Sequence, residues 1–288
     1  MAAADSPFSS TFRQKPWSRA VVHLFLIVGS LVFVFPVLWM LSTSLKPIEQ
    51  TLTPEPVWIP HPIEIGNYAS TIAYIPFLRY ALNTVFVCAL ATIGTTLSSA
   101  LVAFSFTRLE WPGRNLLFGL TLATMMVPFP VVMVPLYSVY RTLGWIGTLK
   151  PLWVPTFFGS AFSIFLLRQF FMRIPKSLPE AMTLDGASEF RIFWQMYLPL
   201  SKAPLVVVAF FQLMYSWNDL LGPLLFLTDQ STFTLTLGLQ AYQSQEGGTQ
   251  WHYLMAASVM TTLPIVVLFF IVQRALFQGM SSTQNFEG

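Results

Sequence analysis

The sequence predicts an all-α polytopic membrane protein, with six transmembrane helices and a short helical segment in water between the fourth and fifth. Three observations predict it. Of 288 residues, 55% are hydrophobic and 9% charged, against about 45–50% and about 25% in soluble domains. The charges fall between long apolar gaps, and the basic residues divide unevenly between the two sides of the implied bilayer. A water-soluble globular protein is excluded, because 27 Phe and 9 Trp would leave apolar surface against water.

The spans are read between charges, since a charge at mid-bilayer costs about 2.5–3.5 kcal/mol even on the lenient insertion scale. No Asp, Glu, Lys or Arg lies between Arg19 and Lys46, Arg79 and Arg108, Arg114 and Arg141, or Glu246 and Arg274. Each gap is long enough for a tilted crossing helix. Two shorter runs, Pro151 to Leu167 and Ala203 to Asn218, are near the lower limit, and the second extends past Asp219 to Leu227. The expected spans are therefore 20–44, 80–107, 115–138, 151–171, 200–227 and 252–275. They lie in one domain, 20–279, flanked by tails 1–19 and 280–288. The first run is too long for a secretory signal and lacks a small-residue cleavage site.

Placing the N-terminus in the cytoplasm puts Arg13, Lys15, Arg19, Arg108, Arg114, Arg168, Arg173, Lys176, Arg191, Lys202 and Arg274 inside. Lys46, Arg79, Arg141 and Lys150 then lie outside. Eleven against four satisfies the positive-inside rule. Both termini and the segment Arg168 to Lys202 become cytoplasmic. The net charge of +3 is spread between apolar runs, which gives no nucleic-acid patch. A single cysteine, Cys88, allows no intrachain disulfide.

Prolines interrupt several spans: Pro128, Pro130 and Pro135 in the third, Pro151 and Pro155 in the fourth, Pro264 in the sixth. Such breaks survive in lipid where neighbouring helices or a wet cavity satisfy the freed backbone, although membrane helices carry more proline in general. In the second span Ala91, Thr95, Ser99 and Ala103 recur every four residues, a small face that admits close approach of another helix.

A search for catalytic groups finds little. There is no Gly-Lys dipeptide for a Walker-type phosphate loop and no His-Glu-x-x-His zinc motif. His23, His61 and His252 are scattered and read as packing or interfacial residues. Ser160 has no histidine on a later span except His252 near an edge, which argues against an intramembrane serine hydrolase. Asp219, beside Trp217 and Asn218, is the one carboxylate near a span, so it must meet water, a partner or a backbone donor. A relay or cation-coupled transporter needs several such groups.

The segment from Pro175 to Pro199 carries strong local signals. Ser177 and Glu180 have capping-box spacing, and Pro179 falls in the first helical turn. The spacing predicts a helix from Ser177, interrupted at Asp185-Gly186, where Gly permits a left-handed turn and Asp can cap the next helical piece. That second piece is expected from Ala187 to Met196. The apolar set Leu178, Ala181, Met182 and Leu184 suits a groove on a partner or the surface of the bilayer; the residues leave both readings open.

This segment resembles the membrane-spanning permeases of bacterial ATP-binding-cassette importers. Their signature is Glu-Ala-Ala, a Gly four residues later and then Leu-Pro; Glu180, Ala181, Gly186, Leu198 and Pro199 stand at matching places, with Met182 replacing the second Ala. Asp185, Gly186 and Ala187 are similar to the Asp-Gly-Ala of the sugar-importer branch. Asn83, Trp111 to Arg114, Met126 to Pro128, Pro135 to Tyr137 and Trp217 to Asp219 are similar to words of its maltose-type second permease.

The resemblance implies a type I importer permease fold and no catalytic residue in this chain. It also implies a second related permease, two ATPase subunits and an extracytoplasmic solute-binding protein as partners. No cofactor is expected on this chain; ATP and Mg belong to the ATPase subunits. Ser177, Glu180, Ala181, Met182, Asp185, Gly186 and Ala187 become the coupling element that meets an ATPase. Amide, hydroxyl and aromatic groups suit an uncharged polyol, which makes Asn83, Tyr137, Tyr215, Trp217 and Asn218, with Asp219, candidate pathway residues. Interfacial anchoring explains the same residue types. The expected function is a permease subunit of a sugar or polyol importer. The alternatives are a permease for another solute, such as a glycerol-phosphate-type compound, and a stand-alone channel or secondary transporter.

Overall fold

The computed structural model describes residues 16–243 and 248–281, and the described residues form helices with no strand. The N-terminal tail before Pro16 and the last seven residues of the C-terminal tail lie outside them. In chain order the helices are α1 (Pro16–Ser44), α2 (Gly66–Tyr74), α3 (Phe77–Arg108), α4 (Arg114–Thr124), α5 (Phe129–Thr142) and α6 (Ala161–Phe171). Beyond them come α7 (Ser177–Leu184), α8 (Glu189–Ile192), α9 (Lys202–Asn218), α10 (Leu221–Phe226) and α11 (Trp251–Ser281).

The 32-residue α3 is the centre of the bundle. Both α6 and α9 pack along it, while α11 packs on α9, α2 and α1. Helix α1 exposes apolar side chains on all sides, among them Phe25, Leu31 and Phe33, as a helix surrounded by hydrocarbon does. Four helical segments are long and apolar enough to cross a membrane, and six result if each of two bent pairs counts as one crossing.

The small face expected on the second span is buried whole: Ala91, Thr95, Ser99 and Ala103 are all nearly inaccessible. Against it lies the first half of the expected fourth span, 151–171, in which Pro151 and Pro155 mark an interruption. One turn at Lys150–Trp153 passes into a 3₁₀ segment, Val154–Phe158, and the chain breaks at Gly159 (φ +87°) before α6. Pro155 and the left-handed glycine prevent a regular helix there. The loosened backbone is met by hydroxyls of α3. Ser98 Oγ donates to the Thr156 carbonyl at 3.3 Å, Thr95 Oγ1 reaches the same carbonyl at 3.5 Å, and Ser99 Oγ accepts from Ser160 N–H at 3.1 Å. Non-helical backbone at membrane depth is tolerated where protein groups satisfy it in this way. A Cβ on Gly94 of α3 would stand 2.5 Å from Phe157 and 2.9 Å from Thr156 Oγ1, so the approach depends on glycine.

Two further expected spans are bent. The third, 115–138, is a bent pair: α4 and α5 meet at 100°, because the residue before a proline is kept out of the helical region and Pro128 itself (ψ 144°) does not continue the helix. The fifth, 200–227, ends at Asn218. Asp219 leaves the helical region (ψ 119°), and α10 starts afresh beyond it. At its other end α9 turns 81° from the segment Glu189–Leu200.

Two apolar clusters sit at opposite ends of the bundle. One gathers Phe104 and Phe106 of α3, Leu167 and Phe171 of α6, and Ile192, Phe193 and Tyr197. The other joins Tyr80 and Cys88 of α3 to Trp217, Leu235, Tyr242 and Leu254. The α3 contact yields a prediction. Gly94→Val should lower the stability of the purified protein by about 1–3 kcal/mol through overpacking, read as a lower thermal midpoint in detergent. An unchanged midpoint would contradict the close approach.

Candidate functional site

The candidate site is the helical elbow from α7 to the start of α9. Helix α7 begins one residue out of register with the expected capping box. Lys176, already in the helical region (φ −61°, ψ −27°), precedes the first helical residue, and no side chain caps the turn. The chain winds in from Pro175, whose carbonyl accepts from Leu178 N–H at 3.2 Å, while Lys176 O accepts from Glu180 N–H at 3.2 Å. Ser177 is thus inside the helix, and its hydroxyl cannot serve the amide it would cap.

The far end of α7 closes as a Schellman turn. Gly186 N–H donates to Thr183 O at 3.0 Å and Ala187 N–H to Met182 O at 2.9 Å, the paired bonds that satisfy a helix's last carbonyls. Gly186 has φ +76°, and nothing crowds its missing Cβ, so backbone conformation alone demands glycine here. Met182 and Ala187, the residues that flank the turn on its inner side, pack against the adjoining apolar cluster. Asp185 is the C-cap of α7 and does not cap the next helix as expected. Ser188 does so instead, its Oγ accepting from Arg191 N–H at 3.3 Å, since a residue placed three before that amide is needed.

Beyond α8 the chain makes a π turn, Phe193–Tyr197, and continues helically through Leu198–Leu200. The widened turn sends Phe193, Met196 and Tyr197 inward together. Tyr197 meets Phe104 edge-on at 4.8 Å and Phe171 at 5.2 Å. Such aromatic pairs add about 0.5–1.5 kcal/mol each beyond burial.

A polar fastening joins the elbow to the bundle. Arg108, the last residue of α3, donates Nη2 to Thr183 Oγ1 at 3.2 Å and pairs with Glu189 Oε1 at 3.3 Å. Sequence reading missed Arg108, Thr183 and Glu189 in this role, because partners 75 and 81 positions apart leave no spacing signal. It also missed Phe190 and Trp194, which stack on the outer face at 6.4 Å and are 68% and 55% exposed. Leu178, Ala181 and Leu184 of α7 are exposed as well, Leu184 at 90%, whereas Met182 is half-buried. The residues expected to couple to an ATPase, Ser177, Glu180, Ala181, Met182, Asp185, Gly186 and Ala187, stand in one helix and its turn, with Met182 and Ala187 facing inward.

Of the candidate pathway residues, Tyr215, Trp217, Asn218 and Asp219 share the end of α9, while Asn83 lies on α3 and Tyr137 on α5. Asn83 spends its amide on the carbonyls of Ser231 and Phe233, at 3.0 and 2.9 Å. Trp217 is buried in the cluster around Tyr80, and its carbonyl accepts from Thr236 Oγ1. Asp219 finds a backbone donor: its carboxylate accepts from Gly222 N–H at 3.0 Å and so caps α10. Tyr215 and Asn218 are exposed on α9, with Asn218 bonded to Met214 O, and Tyr137 is half-buried on α5. Among the described residues no group of His, Cys, Asp and Glu is arranged to hold a metal.

Residues 93–282 match the model of a family described as binding-protein-dependent transport system inner membrane components. The chain belongs to this family. Its relatives include the diacetylchitobiose uptake system permease protein NgcG of Streptomyces coelicolor, 32% identical over 265 residues that cover 91% of this chain and 87% of that protein. The sn-glycerol-3-phosphate transport system permease protein UgpE of Escherichia coli is 32% identical over 280 residues, 94% of this chain and 99% of the relative. A chain in the crystal structure of a bacterial ABC transporter involved in the import of the acidic polysaccharide alginate superposes with a TM-score of 0.80 over 93% of this chain and 99% of that one, at 22% identity. The protein is thus an inner-membrane permease of a binding-protein-dependent importer, with the type I permease fold, and is not the catalytic subunit.

The polar fastening is testable by a double-mutant cycle. Arg108→Ala and Glu189→Ala should each lower the thermal midpoint, with a coupling energy of about 0.2–1 kcal/mol as for partly exposed pairs. Exchange of the two charges should recover much of the loss, and strict additivity would show that the pair is idle. Gly186→Ala should cost about 1–2 kcal/mol by forcing a Cβ into the left-handed region.

Proposed function

We propose that this chain forms half of the translocation pathway of an ATP-driven sugar or polyol importer and couples to an ATPase subunit through α7. The observation that carries the reading is the outer face of the elbow. Leu178, Ala181, Leu184, Phe190 and Trp194 are exposed on a segment whose backbone is locked by the Schellman turn, the Arg108 pair and the aromatic cluster. A rigid helix presenting apolar side chains is suited to a groove on a partner.

The partners are a second homologous permease, two ATPase subunits that bind ATP and Mg, and an extracytoplasmic solute-binding protein. With the elbow facing the ATPases, both termini are cytoplasmic, in keeping with the distribution of Lys and Arg. Nucleotide-driven closure of the ATPases then pulls on α7, and the fastenings to Arg108 and Phe104 pass the movement to α3 as a rigid body.

Two of the relatives are named for diacetylchitobiose and sn-glycerol-3-phosphate, and the placement of charge favours neutral cargo. The cations of the membrane-spanning helices stand near their ends, as Arg79 and Arg108 do in α3, where they are poorly placed to hold a phosphate in mid-pathway. A glycerol-phosphate-type solute is the second reading, supported by the Escherichia coli relative.

The test is affinity purification of the tagged chain from its own membrane in mild detergent. The wild type should retain a second permease, an ATPase and a solute-binding protein, whose ligand identifies the cargo. Leu184→Asp should reduce ATPase retention about tenfold, equal to about 1.4 kcal/mol, while the second permease is kept. Full ATPase retention by that variant would contradict docking through α7.

A further inference from the structure

Between α7 and the ends of α3 and α6 lies a cavity of about 380 Å³ whose lining includes Arg108, Arg114, Arg168 and Lys176. We infer that it is a binding site for a phosphate ester, the group carried by anionic phospholipid headgroups and by soluble phosphate compounds. Its volume is in the range of small-molecule sites, about 300–1,000 Å³. Two carboxylates, Glu110 and Glu180, share the lining. Glu189, outside the lining, pairs with Arg108, so Arg114, Arg168 and Lys176 face Glu110 and Glu180 with an excess of one positive charge.

That excess is not neutralised locally. Among the described residues the only ion pair is Arg108–Glu189, so no described carboxylate lies within pairing distance of Arg114, Arg168 or Lys176. The guanidinium groups are nevertheless held in place. Arg114 Nη1 donates to Leu109 O at 2.8 Å, and Arg168 Nε donates to Phe106 O at 3.4 Å while its guanidinium lies 4.2 Å from the centre of the Phe118 ring. A guanidinium carries five N–H donors, so most remain for a ligand. Arg108 Nε is buried without a partner. Positioned guanidinium groups with free donors match phosphate oxygens in charge and geometry.

The lining also has apolar walls, with Phe106 and Phe171 beside the cations. A phospholipid needs both a cationic contact for its phosphate and an apolar wall where its acyl chains begin. The source of the phosphate rests on the orientation proposed above, in which the cavity opens at the cytoplasmic membrane surface, where anionic headgroups concentrate and basic pockets between helices bind them. A phosphate held there would bridge the α3–α4 loop, the end of α6 and the base of the coupling helix.

The experiment uses the intact importer complex. Native mass spectrometry would compare retention of phosphatidylglycerol with phosphatidylcholine of the same acyl chains. In parallel, thermal midpoints would be taken in sodium phosphate and in sodium chloride of equal ionic strength. Wild type should keep phosphatidylglycerol about tenfold better, Arg114→Gln with Lys176→Gln should fall to the phosphatidylcholine level, and Arg114→Lys should retain most of the preference. That result assigns the lipid as ligand. No lipid preference, but a phosphate-raised midpoint in wild type and not in the double variant, assigns a soluble phosphate compound. Neither effect, or an effect that persists in the double variant, overturns the site. Subunit retention is read in the same spectra, so failure of the importer assembly is seen separately from failure of the lipid to bind.

Discussion

The bundle depends on the close approach of a broken fourth span to the small face of α3. Without a Cβ at Gly94 and with only Ala, Thr and Ser along the contact, the Val154–Ser160 backbone lies against α3 and receives its hydroxyl groups. Membrane helices gain little from apolar burial among themselves, so packing fit and satisfied backbone decide such contacts. This contact places α6, and α6 in turn supplies Leu167 and Phe171 to the cluster that seats the elbow. The functional segment is therefore positioned by a contact made several helical turns away.

At the elbow, two kinds of interaction do different jobs. The aromatic cluster of Phe104, Phe171, Phe193 and Tyr197 supplies cohesion without strong direction. The bonds of Arg108 to Thr183 and Glu189 add direction, because a guanidinium fork holds its acceptors in a fixed plane. Together they tie α7 to the end of the longest helix, which also runs through the opposite cluster around Tyr80. In the proposed coupling, a push on α7 would be delivered along the whole bundle instead of being absorbed in a hinge.

Much of this was legible in the amino-acid sequence, and the failures have physical reasons. The stripe of Ala91, Thr95, Ser99 and Ala103 was readable because helical periodicity brings every fourth residue to one face. Asp185-Gly186 was readable because few residues other than glycine accept a left-handed turn. The capping box failed by one residue, since the helix winds in earlier, from Pro175, and absorbs Ser177. Prolines marked the third and fourth spans as interrupted but not how far they bend, because the angle is set by the groups that the freed backbone meets. Asn83 and Trp217 carry side chains suited to a polyol; in the fold the Asn83 amide holds the carbonyls of Ser231 and Phe233, and the Trp217 indole lies in the cluster around Tyr80. Nothing in their residue type separates the two uses.

The central claim is that the coupling helix and α3 move as one body. Because Cys88 is buried, spin labels can be placed selectively at Ser177→Cys, exposed at the start of α7 and outside its apolar docking face, and Leu101→Cys on the exposed side of α3. The measurement is the pulsed-EPR distance between them in the assembled importer, without nucleotide and with ATP trapped. One narrow distribution, the same in both states, is the predicted result. A distribution that shifts or broadens when ATP binds would contradict the account, placing a hinge between α7 and the bundle.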